Sequence, residues 1–235
     1  MSLQNSVRVR GVEGTLHLML LRFFNSGRIP EHILTRNFDL KRFDREHSVD
    51  TAGLIELDQL DFESPVKAHG TRYGGFPAWR LRDLFAQIPA DFSRYSFIDL
   101  GSGKGAALFC AAEYPFHRII GVEFSPELHE ATLRNMSTYR SRAQKCRDIV
   151  SVCGDAGDYV FPEGPWVLFF NTPFGLPVWE RVAANLALAR RGQGTSYLIY
   201  SNYGWKLETA EFVHKLSFLR MVHEDDTSRI YEFVS

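Results

Sequence analysis

From about residue 80 to the C terminus, short apolar runs alternate with helical stretches of ten or more residues, and few folds accommodate that rhythm. The runs are SFIDL (96–100), RIIGVE (118–123), DIVSVC (148–153), PWVLFF (165–170), TSYLIYS (195–201), SFLRMVH (217–223) and RIYEFV (229–234). Strands joined by helices imply right-handed crossovers and a parallel sheet. The last two runs are separated only by EDDTS, too little chain for a helix, so they are expected to form an antiparallel hairpin at the sheet edge. Ser125, Pro126 and Glu127 supply an N-cap, a first-turn proline and a first-turn acid for one helix. Pro177 opens another, with Val178, Val182, Leu186 and Ala189 on one face.

The first 68 residues follow no such rhythm. A helical pattern runs from about 13 to 26 and contains the most apolar stretch, TLHLMLLRFF (15–24). Arg8 and Arg10 precede it like the basic flank of a leader, but Arg22 interrupts it, no small-residue cleavage site follows, and it is too short to span a bilayer. A buried helix is expected. A polar stretch with turn signals, NFDLKRFDREHSVDTAG (37–53), and an acidic segment, ELDQLDFE (56–63), come next.

With 235 residues and 45% hydrophobic content, the chain is sized for one core plus an appendage. Lys and Arg number 27 against 28 Asp and Glu, so the overall charge argues for neither a nucleic-acid partner nor a membrane surface. Cys110, Cys146 and Cys153 lack CxxC spacing and are odd in number, as expected of free thiols in the cytoplasm. They and the eight histidines form no metal signature.

The segment FIDLGSGKG (97–105) places a glycine-rich turn at a strand end. It is not a phosphate-gripping P-loop: Lys104 is followed by Gly105, and Ile98 stands where the first glycine belongs. Gly101, Gly103 and Ala106 fit the dinucleotide fingerprint, with Glu123 22 residues beyond Gly101 near the position of the ribose acid. That spacing leaves a nicotinamide-dependent oxidoreductase open. Asp99 weighs against it, because a carboxylate two residues before the first glycine would repel a pyrophosphate. The same carboxylate suits S-adenosylmethionine, which has no phosphate and carries an ammonium and a sulfonium.

These residues resemble the class I, seven-stranded Rossmann-like S-adenosylmethionine-dependent methyltransferases, over about residues 69–235. The resemblance implies a doubly wound, mostly parallel seven-stranded α/β sheet whose last strand is inserted antiparallel. A mainly helical extension, residues 1–68, would precede it and shape the acceptor pocket. FIDLGSGKG looks like the family's first motif, implying that Asp99, Gly101, Ser102 and Gly103 line the methionine end of the cofactor. In GVEF, Glu123 matches the acid that accepts the ribose hydroxyls, and Phe124 is placed to pack on adenine. In CGDAGDY, Asp155 matches the acid that reads the adenine amine, with Asp158 as its rival, and Ala156 offers a backbone amide. Lys104 is expected to be a solvated side chain.

FFNTPFG ends the fourth strand, where the family meets its methyl acceptor. NTPF is similar to the (Asn/Asp)-Pro-Pro-(Tyr/Phe) motif of enzymes that methylate planar nitrogens, with Thr172 in place of the first proline. The longer stretch VLFFNTPFGLPVWERVAANL looks more like the seven-stranded histone-lysine methyltransferases. The resemblance implies an amine acceptor, on a protein or a small molecule, with Asn171 and the Thr172 carbonyl orienting its nitrogen and Phe174 walling the channel. Tyr73, between Arg72 and Gly74-Gly75, suits a hinged aromatic lid over the methionine end. A protein that binds the cofactor without catalysis stays open on the sequence alone.

Overall fold

The computed structural model describes residues 2–25, 31–64, 67–189, 194–202, 204 and 207–234, with side chains of 24–25 and 31–34 outside the description. In chain order the helices are α1 (Leu3–Asn25), α2 (Glu31–His47), α3 (Ala78–Phe85), α4 (Ala106–Ala111), α5 (Pro126–Thr138), α6 (Leu176–Ala189) and α7 (Leu207–His214). The strands are β1 (Leu54–Ile55), β2 (Tyr73–Gly74), β3 (Ser96–Leu100), β4 (Arg118–Glu123), β5 (Ile149–Cys153), β6 (Trp166–Phe170), β7 (Tyr197–Ser201), β8 (Leu219–Glu224) and β9 (Ser228–Phe233). All seven expected strands form, with ends shifted by no more than two residues.

Seven strands make one sheet in the order β5-β4-β3-β6-β7-β9-β8. The first five pair in parallel, and β9 runs antiparallel between β7 and β8. The centre of the sheet, β3, β6 and β7, is buried on both faces, as parallel sheets are, while the edge strands β5 and β8 are partly exposed. Phe97, Ile119, Val167, Phe169 and Ile199 face Leu81, Leu84, Phe85 and Phe109. Ile98, Ile120, Leu168, Phe170 and Leu198 face Val178, Trp179, Val182 and Leu186 of α6. Because β3 has β4 on one side and β6 on the other, the chain changes winding direction there, and the crevice at the C-terminal ends of these strands is the place for a ligand. Ser125 caps α5 by accepting from the Leu128 N–H at 3.3 Å, with Pro126 in the first turn.

The first two helices depart from expectation. α1 begins ten residues earlier than the pattern indicated, and kinks at Gly11 (φ 70°); Ser26, the expected end, lies outside the described residues. It is not a buried helix. Within the apolar run Leu18 is buried, whereas Leu16, Met19, Leu20 and Phe23 face solvent, Phe23 with 80% of its surface exposed. Apolar density was read as burial, but the helical phase turns only one face toward the protein. No helix among the described residues is long and apolar enough to cross a membrane. The polar stretch expected to turn is mostly α2, whose Leu40, Phe43 and His47 form one buried stripe.

Arg10, leader-like in the sequence, is an internal residue. Its guanidinium grips Asp39 of α2 through two 2.5 Å contacts, and Trp79 Nε1 of α3 donates to the same carboxylate at 2.9 Å. The short β1/β2 ladder pairs Leu54 with Gly74 and Ile55 with Tyr73, bringing the N-terminal segment against the glycine loop.

Candidate active site

A cleft enclosing about 840 Å³ of space, open to solvent, lies over the C-terminal ends of β3, β4, β5 and β6. Its walls bring together Tyr73, Asp99, Gly101, Ser102, Gly103, Glu123, Phe124, Asp155, Ala156, Asn171 and Phe174. These residues come from five separate stretches of chain.

The turn after β3 runs through Gly101 (φ 92°) and Gly103 (φ 55°), both in the left-handed region that glycine enters without strain. Side chains are excluded there by space as well: a Cβ on Gly101 would stand 2.4 Å from Pro173, and one on Gly103 would stand 2.3 Å from the Tyr73 ring. The loop after β6 and the β2 aromatic therefore both rest on the glycine turn.

Asp99 and Glu123, each 3% exposed, end β3 and β4 at this crevice. Glu123 accepts from the Gly103 N–H at 2.8 Å and the Ser125 N–H at 2.9 Å. Burial nevertheless dominates and pushes its carboxyl up to about 7, against the opposing pull of those backbone donors. Asp99 has no hydrogen bond from the described residues, and burial, then the charge of Glu123, raise it well above the ordinary carboxyl range. Ser102 Oγ is also buried with no partner. Two desolvated acids and an orphaned hydroxyl around one cleft are costly for an empty protein, and they fit a ligand that brings a cation and hydroxyl donors.

On the opposite wall, Asp155 caps the short turn Ala156–Asp158 by accepting from the Gly157 N–H at 2.8 Å, and its other oxygen pairs with Arg181 at 2.7 Å. Asp158 shares the same Arg181 guanidinium, but its side chain is exposed and does not line the cleft. Phe124 meets Phe62 edge-on with ring centres 5.2 Å apart. Phe174 does two jobs, packing 5.3 Å from Trp179 in the core while presenting one side to the cleft.

Three placements correct the sequence reading. Thr172 does not line the cleft: it adopts φ 49°, its Oγ1 donates to Ser201 O at 2.7 Å, and its carbonyl accepts from Thr71 Oγ1 at 2.9 Å. That carbonyl thus anchors the β2 segment, and Thr172 bounds the neighbouring cavity beyond Asn171 rather than the cleft itself. Lys104 is not solvated; it is 7% exposed, donates to Ala52 O at 3.0 Å and Asp50 at 3.3 Å, and sits 5.5 Å from the Tyr73 ring centre. Tyr73 is no hinged lid in this structure, since it is buried and its hydroxyl donates to Thr51 O at 2.5 Å. Gly74 and Gly75 serve close packing, because a Cβ there would meet Arg36 at 2.9 Å and Thr51 O at 2.7 Å respectively.

Asn171 is held from both sides, donating through Nδ2 to Gly74 O at 3.3 Å and accepting from Asn202 Nδ2. Asn202, like Thr172, has a left-handed backbone (φ 57°), so two strained non-glycine residues meet at the ends of β6 and β7. Sequence reasoning missed Asn202, Thr71 and Arg72. Each lies outside any motif; β7 beside β6 brings Asn202 to Asn171, and contacts between residues 70–71 and the 172–174 loop bring Thr71 and Arg72 there.

No protein-family model and no curated protein sequence matches the chain. Solved structures match in fold. The glycopeptide N-methyltransferase MtfA, solved with S-adenosylmethionine, gives a TM-score of 0.50 at 11% identity, over 68% of this chain and 88% of its own. A candidate RNA methyltransferase of Pyrococcus horikoshii gives 0.49 at 20% identity, over 75% and 91%. A methyltransferase of Thiobacillus denitrificans, solved with S-adenosyl-L-homocysteine, gives 0.40 at 21% identity, over 54% and 48%. The chain has the seven-stranded Rossmann-like fold of the S-adenosylmethionine-dependent methyltransferases.

Proposed function

We propose that this protein is an S-adenosylmethionine-dependent methyltransferase acting on an amine nitrogen, either a small-molecule amine or a protein lysine. The observation that carries the reading is the pair of buried carboxyls, Asp99 and Glu123, at adjacent strand ends over one cleft. A dinucleotide would bring its pyrophosphate against them, whereas S-adenosylmethionine brings a cation and a ribose diol. Glu123 would accept the ribose hydroxyls, and Asp99 would face the ammonium end. Phe124 and Ala156 would flank the adenine, with Asp155 as the group that reads its amine. Tyr73, packed over Gly103, would cover the methionine end.

When bound, the cofactor supplies an activated methyl and its own leaving group. The protein is left to orient the acceptor and exclude water, which is worth about 7 to 11 kcal/mol when geometry is held tightly. Asn171, fixed by Gly74 and Asn202, would hold the acceptor nitrogen, with Phe174 as an apolar wall. A lysine acceptor must first lose a proton, at a cost of roughly 4 to 5 kcal/mol at pH 7. Desolvation against Phe174 would lower that cost. The loop's likeness to the histone-lysine enzymes is what supports a lysine acceptor.

Transfer of tritiated methyl from S-adenosylmethionine into a fractionated lysate would identify the acceptor class. Asn171→Ala is expected to cut labelling about 10²-fold, the scale of a misplaced reactant, with cofactor affinity retained. Unchanged labelling in that variant would remove Asn171 and its loop from the acceptor site.

A further inference from the structure

On the far side of Asn171 the cleft adjoins a second cavity, about 670 Å³ and open to solvent, that shares Thr71, Arg72, Gly74 and Asn171 with it. This second cavity is bounded by Arg36 of α2 and by Asn202. Arg36 is unusual. Its Nη2 is buried without a hydrogen-bond partner, and no carboxylate among the described residues pairs with the guanidinium. Its near charged neighbour is Arg72, of the same sign; burial first and Arg72 second lower its pKa. Gly74 permits the close approach, since a Cβ there would stand 2.9 Å from Nη2. Arg72 pairs with Glu56 at 3.3 Å on a rim where Glu56 is exposed, and such rim pairs are worth little.

A partly buried guanidinium with no carboxylate partner among the described residues, set beside a second one, costs stability. The pair suits an oxyanion, which a planar guanidinium holds through two parallel hydrogen bonds. We propose that this cavity is the acceptor pocket and that Arg36, assisted by Arg72, grips a carboxylate or phosphate on a small-molecule amine. The proposal rests on the methyltransferase reading and narrows its acceptor. A small molecule is favoured over a nucleic acid because a polymer needs a run of basic surface, while this chain has no basic excess and here offers two cations in one pocket. Asn171, common to both cavities, would then stand between the anchored acceptor and the cofactor.

The test is calorimetry on the full chain saturated with S-adenosyl-L-homocysteine, titrated separately with inorganic phosphate and with succinate, so that phosphate-bearing and carboxylate-bearing acceptors are distinguished. At least one anion is expected to bind. Arg36→Gln should weaken it at least tenfold, Arg72→Gln about threefold, and Arg36→Lys less than Arg36→Gln. An unchanged melting temperature in all three variants, and unchanged S-adenosyl-L-homocysteine affinity in the two Arg36 variants, would show that they are folded. Neither anion binding to the saturated protein, or binding that Arg36→Gln and Arg72→Gln both leave intact, would overturn the anion site. An RNA oligonucleotide that displaces the anion from the wild type with higher affinity would overturn the small-molecule assignment. Anion binding by a protein that does not bind S-adenosyl-L-homocysteine would instead refute the methyltransferase reading and leave the anion site standing.

Discussion

Glu123 is held near neutrality by two competing influences, burial and backbone donors, and this gives its chemistry a pH signature. With a folded pKa of about 7 against an ordinary 4.5, the native state binds the extra proton between those values. Unfolding therefore becomes easier as pH rises across the window, by on the order of 3 kcal/mol in the ligand-free protein. Affinity for S-adenosylmethionine should move the other way, rising from pH 5 to 7 as the carboxylate forms. Thermal melts and calorimetry at both pH values check the two slopes. Glu123→Ala should weaken cofactor binding by about 1.5 to 3 kcal/mol, the scale of hydrogen bonds to a charged group. Wild-type affinity in that variant would refute the ribose assignment. At Gly103 the added methyl of Ala would strike the Tyr73 ring, so Gly103→Ala should destabilise the fold by about 1 to 3 kcal/mol and impair cofactor binding. A melt indistinguishable from wild type would contradict that packing. Asp99, Gly101 and Glu123 were legible because strand ends and glycine turns leave marks within one short segment. Arg36 and Thr71 left none, since their roles arise only when distant segments converge. The placement of Thr172 beside the second cavity left none either, since the carbonyls of Ser201 and Asn202 that fix its hydroxyl come from a distant segment.

Elements were read well where packing acts on both faces and poorly where it acts on one. The central strands β3, β6 and β7 are buried along their whole length because helices cover both sides of the sheet there, so short apolar runs marked them within two residues. α2 carries few apolar residues and its stripe was hidden among charges. α1 misled in the opposite sense, with many apolar side chains on its solvent face. Beside the buried Leu18 and the His17–Phe38 ring contact, a polar link ties α1 to the rest: the Arg10–Asp39 pair, buried on both sides and shared with Trp79. Asp39→Ala should cost about 3 to 5 kcal/mol, because it leaves the Arg10 guanidinium buried and unmatched. Denaturant titration measures this directly; a change under 1 kcal/mol would mean that the helices dock by apolar contact alone.

Across the whole molecule, the strand order puts the winding switch between β3 and β6, and the β1/β2 ladder and Arg36 of α2 border the cavities at that point. The parallel core followed from the strand-helix rhythm, and the position of β9 from family resemblance. The convergence of two cavities on Asn171 depends on tertiary contacts from residues 36, 71 and 202, which no local pattern encodes. The central claim is that Asp99 and Glu123 select a cationic, phosphate-free nucleoside. Calorimetry with S-adenosylmethionine, S-adenosyl-L-homocysteine and NADH on the unmodified chain tests it most directly. Saturable one-to-one binding of the first two, with no heat from NADH, is the predicted result; tight NADH binding without S-adenosylmethionine binding would contradict it.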